Sequence, residues 1–60
     1  MQITIRRFHH DGTEKSTITA SNVWAAAKRA FRGMTIEPDQ GNVVRAVDSS
    51  GTIVGTAAYN

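Results

Sequence analysis

Ser21-Asn22-Val23-Trp24-Ala25-Ala26-Ala27-Lys28-Arg29-Ala30-Phe31-Arg32-Gly33 is the one segment of this sequence that reads as a helix. Strand-like sequence flanks it on both sides. Ser21 is the expected N-cap, its hydroxyl accepting from a free amide of the first turn. The alanines supply helix propensity without side-chain entropy to lose. Lys28, Arg29 and Arg32 load the last turns with positive charge, where the helix dipole favours it, and Gly33 is suited to the left-handed stop. Ala20, Val23, Trp24, Ala27, Ala30, Phe31 and Met34 recur at steps of three and four and so share one face. Ala25, Lys28, Arg29 and Arg32 recur on the other. The pattern predicts an apolar strip laid on a sheet, with a basic strip turned outward.

Towards the N-terminus, residues 1–9 alternate, with Met1, Ile3 and Ile5 on one face and Gln2 and Thr4 on the other. Phe8 breaks that phase. Either a bulge sits at Arg6-Arg7 or Phe8 covers the opposite face. His10-Asp11-Gly12-Thr13 reads as a hairpin turn on its Asp-Gly pair. Residues 14–19 return as a strand with Ser16, Ile18 and Ala20 inward and Lys15, Thr17 and Thr19 outward. Beyond the helix, Met34-Thr35-Ile36 is a short apolar segment with strand-like character, and residues 37–41 form a loop broken by Pro38 and Gly41. Residues 42–48 read as a β-branched strand, and Asp48-Ser49-Ser50-Gly51 as a second hairpin turn with Gly51 at its positive-φ position. Residues 52–59 read as the last strand. Its small residues Gly55, Ala57 and Ala58 leave room for the helix carrying Trp24 and Phe31.

The expected architecture is therefore α+β: a single compact domain over residues 1–60, with an antiparallel four-stranded sheet and one helix packed on one face, in the order β-β-α-β-β. The uncovered sheet face should be polar and carry Gln2, Thr4, Arg45 or their neighbours. A monomer or weak dimer is expected.

Composition narrows the function classes. The chain has 60 residues and no cysteine, which excludes disulfides and thiolate metal sites. Apolar content of 40% supports a modest core. The apolar runs are too short to span a membrane and the start lacks a signal-peptide layout, so no membrane partner and a cytoplasmic location are expected. A net charge of +2 and a pI near 9.7 permit contact with nucleic acid or an acidic surface.

No residue set carries the pattern of a catalytic centre. His9 and His10 are adjacent on a strand and point to opposite faces, so a solvated turn is the default and no metal is expected. Asp11, Glu14, Glu37, Asp39 and Asp48 fall at turns or strand ends, where Asp serves local backbone hydrogen bonds. The serines lack a nearby base, and neither Gly12 nor Gly51 leads into the helix to cradle phosphate. The expectation is a non-enzymatic protein without a cofactor. The basic residues are the candidates: Lys28, Arg29 and Arg32 on the outer helix face, Arg45 in mid-strand, with Arg6 and Arg7 leaving the first strand. Either they are a solvated face that keeps a small protein in solution, or they contact phosphates or an acidic partner.

Three features bring in a family. Ile18-Thr19-Ala20-Ser21 leads a strand into the helix, the helix contains Ala27-Lys28-Arg29, and Gly41-Asn42-Val43-Val44-Arg45 precedes the Asp48–Gly51 hairpin. Over residues 16–55 this resembles the small phage-encoded anti-CRISPR proteins, and among them the type I-F inhibitors built from an antiparallel sheet and one helix. The resemblance implies a protein without catalytic activity in the host cytoplasm. It would dock on a type I CRISPR-Cas effector complex and compete with the target DNA. Lys28, Arg29 and Arg45 carry over by position; Arg32 joins them by helical periodicity alone. The alternative is a small basic regulatory protein that binds nucleic acid directly. Phe31→Ala is expected to cost roughly 3–5 kcal/mol as a buried aromatic.

Overall fold

Residues 1–60 are described by a computed structural model. The first strand, β1 (Gln2–His9), shows how the sequence builds the sheet. Ile3 and Ile5 are wholly buried on one face, while Thr4 lies on the other. The Phe8 ambiguity resolves without a bulge, because β1 pairs residue for residue with β2 (Gly12–Thr19), from Gln2↔Thr19 to His9↔Gly12. Arg7 therefore continues the Ile3-Ile5 face and Phe8 turns to the opposite one.

After β2 come α1 (Val23–Ala30), β3 (Thr35–Pro38), β4 (Val43–Val47) and β5 (Ile53–Tyr59). The sheet is fully antiparallel, in the order β2-β1-β5-β4-β3. The expected four strands are thus five, and the order along the chain is β-β-α-β-β-β. The additional strand is β3, whose four residues include Glu37 and Pro38 of the expected loop. An edge strand needs partners on one side only, so a terminal proline is tolerated there. Its pairing, from Thr35↔Val47 to Pro38↔Val44, comes entirely from β4.

The helix begins and ends differently from its sequence signals. Ala20 still exchanges two hydrogen bonds with Met1, each of 3.0 Å, so Ser21 is spent on leaving the sheet. Asn22 is the N-cap instead, with extended backbone and its Oδ1 accepting from the Ala25 amide at 2.9 Å. The helix stops at Ala30. The Phe31 amide closes on the Ala27 carbonyl at 2.8 Å, and a turn from Phe31 to Met34 follows, with Gly33 at φ 80°.

The core lies between the helix and the central strands. Val23, Ala26, Ala27 and Phe31 meet Ile3 and Ile5 of β1, Val44 and Ala46 of β4, and Ala57 of β5. Trp24, expected on this face, is 40% exposed, while Ala26 is fully buried. Small side chains on both surfaces let helix and sheet approach, and an indole at the contact would hold them apart. Met34 is likewise exposed, and Ala20 and Ala30 pack at the core margin. Gly55 is the point of closest approach. A β-carbon there would collide with the Arg6 carbonyl oxygen and the Phe31 ring. The ring lies over this glycine, and the Arg7 guanidinium covers it at 5.0 Å from the ring centroid. The sequence reading of Gly55 as space for the Phe31 helix therefore holds, though the Trp24 half of it does not.

Candidate functional site

Two cationic surfaces emerge, one on each side of the molecule. On the helix side, Lys28 and Arg29 are consecutive in the last turn and both exposed. Each helical residue advances the direction by about 100°, so they flank the outer face rather than stack along it. Trp24 precedes Lys28 by four residues and shares its flank. Arg29 leans the other way, donating from Nη1 to the Thr19 carbonyl at 2.8 Å and tying the helix to the end of β2. Arg32 lies beyond the helix, in the Phe31–Met34 turn. The periodicity that joined it to Lys28 and Arg29 stops at Ala30, so it borders the strip without extending it.

Arg45 belongs to the other surface. Ala46 and Val44 pair with Gly55 and Ala57 on the helix face, so Arg45 between them projects from the uncovered face. The sheet thus separates Arg45 from the helix cations. Its Nε donates to Glu37 Oε1 on β3 at 3.1 Å.

The register supplies residues that the sequence reading left scattered. Lys15 pairs with Arg6, Arg6 with Thr56, Thr56 with Arg45, and Arg45 with Glu37. These five form one row across all five strands, on the face that no helix covers. Phe8, 42% exposed, lies two residues from Arg6 on the same face, and Thr4 lies on its other side. Part of the signal was present in the sequence: the alternation of β1 turns Arg6 outward. The turn chemistry misplaces its partner. A turn centred on Asp11-Gly12 would set Arg6 opposite Thr17, whereas the loop is His10-Asp11, Gly12 already pairs with His9, and Lys15 opposes Arg6. What was missing was the lateral order that brings Arg45 to within two strands of Arg6.

Acidic groups lie mostly away from this row. His9 Nε2 and Glu14 Oε1 are 3.1 Å apart near the first hairpin, and Asp11, Asp39 and Asp48 occupy loops. Asp48 organises the β4–β5 hairpin. Its Oδ1 accepts from the Ser50 hydroxyl at 2.6 Å and from the amides of Ser50 and Thr52 at 2.9 and 3.0 Å. The Ser50 hydroxyl is the main cause that holds its carboxyl below the usual range, with the Thr52 amide next. Gly51, at φ 87°, closes the turn onto the Asp48 carbonyl as the sequence suggested.

No pocket indents the surface, and no three His, Cys, Asp or Glu side chains converge on a point that a metal ion could occupy. No helix is long and apolar enough to cross a membrane. No family model, curated protein or solved structure matches the chain. What the arrangement offers chemically is convex and flat cationic surface: guanidinium and ammonium donors suited to phosphate or carboxylate.

Proposed function

We propose that the protein is a non-enzymatic binding protein of the anti-CRISPR kind, acting in the host cytoplasm by docking on a type I CRISPR-Cas effector complex and blocking its target DNA. The observation that carries the reading is the mounting of Lys28 and Arg29, exposed, on a helix packed against a five-stranded sheet. A rigid element holds a recognition surface with little ordering cost. The resemblance over residues 16–55 supplies the partner. The test is a gel-shift assay in which a purified type I effector complex meets its target DNA in the presence of this protein. The parent blocks the shift, and Lys28→Glu with Arg29→Glu restores it. Losing the Arg29–Thr19 hydrogen bond costs about 0.5–1.5 kcal/mol, so melting curves must accompany the assay. A reversed variant that is folded and still blocks the shift would sink the helix-strip reading. A parent that never blocks it would sink the inhibitor.

A second reading, a small basic regulatory protein that binds nucleic acid directly, is favoured by the Lys15-Arg6-Thr56-Arg45 row on the uncovered sheet face. Of that row only Arg45 belongs to the inhibitor reading, whose other residues lie on the helix side of the sheet.

A further inference from the structure

We infer that the uncovered sheet face is a short platform for single-stranded nucleic acid, with the backbone phosphates along Lys15, Arg6 and Arg45 and one base on Phe8. The inference rests on the direct nucleic-acid reading and names the strand state and the surface.

Three observations carry it. The first is an electrostatic cost that the fold does not relieve. Met1 and Ala20 exchange both of their hydrogen bonds, so alternate pairs along β1 and β2 do the same, and Arg6↔Lys15 falls between them as a non-hydrogen-bonded pair. Such pairs bring their β-carbons closest, and like charges directly opposite are destabilising. The molecule's close acid–base contacts are His9–Glu14 and Arg45–Glu37, and neither reaches Arg6 or Lys15. A polyanion laid across the row removes the repulsion.

The second is that these cations are available. Arg7, the neighbour of Arg6, is committed to the Phe31 ring. Arg6 and Lys15 make no side-chain hydrogen bond, and Arg45 gives only its Nε to Glu37, leaving its terminal amino groups for a ligand. With strands about 4.8 Å apart, Lys15, Arg6 and Arg45 span about 14 Å. That length accommodates a short run of backbone phosphates.

The third is Phe8. It stands on the same face beside Arg6, and its 42% exposure leaves ring surface for a base to stack on. A duplex keeps its bases stacked inside and presents none to the ring, so the combination of flat sheet, cations and one aromatic fits a single strand. Glu37 closes the row at β3, repelling phosphate and setting the end of the track.

The experiment is fluorescence anisotropy of a labelled single-stranded oligodeoxynucleotide and of its duplex, across a salt series, with melting curves for every variant. The parent should bind the single strand more tightly, and log K should fall by about 2 per tenfold rise in salt, at about 0.7 per phosphate contact. Arg6→Gln should lower that slope by about 0.7, and Phe8→Ala should weaken binding on the order of tenfold. Lys28→Gln with Arg29→Gln should leave both unchanged. Binding that survives Arg6→Gln and Phe8→Ala but fails with the helix variant would overturn this surface while keeping nucleic acid as the ligand. Equal binding of the duplex, indifferent to Phe8→Ala, would overturn the single-strand assignment. Absence of binding to either at low salt would overturn the nucleic-acid reading together with the platform.

Discussion

Gly55 and Phe31 show how much rests on single positions in this chain. The ring occupies the volume in which a β-carbon at residue 55 would sit, and the carbonyl oxygen of Arg6 closes the same space from the neighbouring strand. A side-chain rotation can move the ring, but the carbonyl belongs to β1 and is fixed by the sheet. Gly55→Ala must therefore shift backbone, and overpacking of this kind costs about 1–3 kcal/mol. A drop of that size in unfolding free energy, measured by urea titration, is expected. An alanine variant as stable as the parent would show that the ring is not seated on this glycine. Asn22 makes a similar point at the helix start. Ser21 and Asn22 are both good caps, and the choice falls to Asn22 because Ala20 is still bonded to Met1.

At the scale of the element, the β4–β5 hairpin is held by one carboxylate. Asp48 accepts three hydrogen bonds, and its pKa is lowered from 3.8, chiefly by the Ser50 hydroxyl. A depressed folded-state pKa contributes stability that is present above the unfolded value and lost as the pH falls through the folded one. The hairpin contribution should thus be complete at neutral pH and disappear progressively below about 3.8. Asp48→Asn retains an Oδ1 acceptor but does not titrate. The urea midpoint of the variant should fall less than that of the parent between neutral pH and this acid range. Parallel acid profiles for the two proteins would mean that the Asp48 turn is not coupled to folding. The helix is an element of another kind. It has eight residues, too few to be stable alone, so the core contacts of Val23, Ala26, Ala27 and Phe31 hold it in place.

The whole molecule leaves little margin. Sixty residues at about 0.05–0.15 kcal/mol each imply about 3–9 kcal/mol in total. Phe31 is the only aromatic in the core cluster, bridging the helix terminus, Gly55 and Arg7. Phe31→Ala, at about 3–5 kcal/mol, should consume most of the total and leave a large unfolded fraction at 25 °C. Circular dichroism that shows a native spectrum and an unchanged melting curve would contradict this arrangement. Charge is also organised at this scale. Asp11, Asp39 and Asp48 sit in loops, while cations project from both the helix and the uncovered sheet face. The helix cations and the sheet-face row thus lie on opposite sides of one small domain with extents of 30 × 22 × 21 Å, and variants on one side test it without disturbing the other.

The features legible in the chain are mostly those that neighbouring residues decide. Alternation set β1 and β2, and the alanine-rich periodic run set a helix between strands. Turn chemistry set the Asp48–Gly51 hairpin and the presence of the first one, whose loop is His10-Asp11 rather than Asp11-Gly12. Gly55 announced a close approach. The strands, turns and helix are legible because each depends on interactions within a few residues, whereas the groups that meet Gly55, the Phe31 ring and the Arg6 carbonyl, are distant in the chain. Packing of the whole chain places β5 between β1 and β4, completes the sheet with Thr35–Pro38 as a fifth strand, and leaves Trp24 outside while Ala26 goes in. The same holds for the cations: Arg45 parts from Lys28 and Arg29 and joins Arg6 and Lys15. Lateral order follows from pairing and packing between residues as distant as Arg6 and Thr56. That energy is distributed over the whole sheet and leaves no mark on any short stretch of sequence.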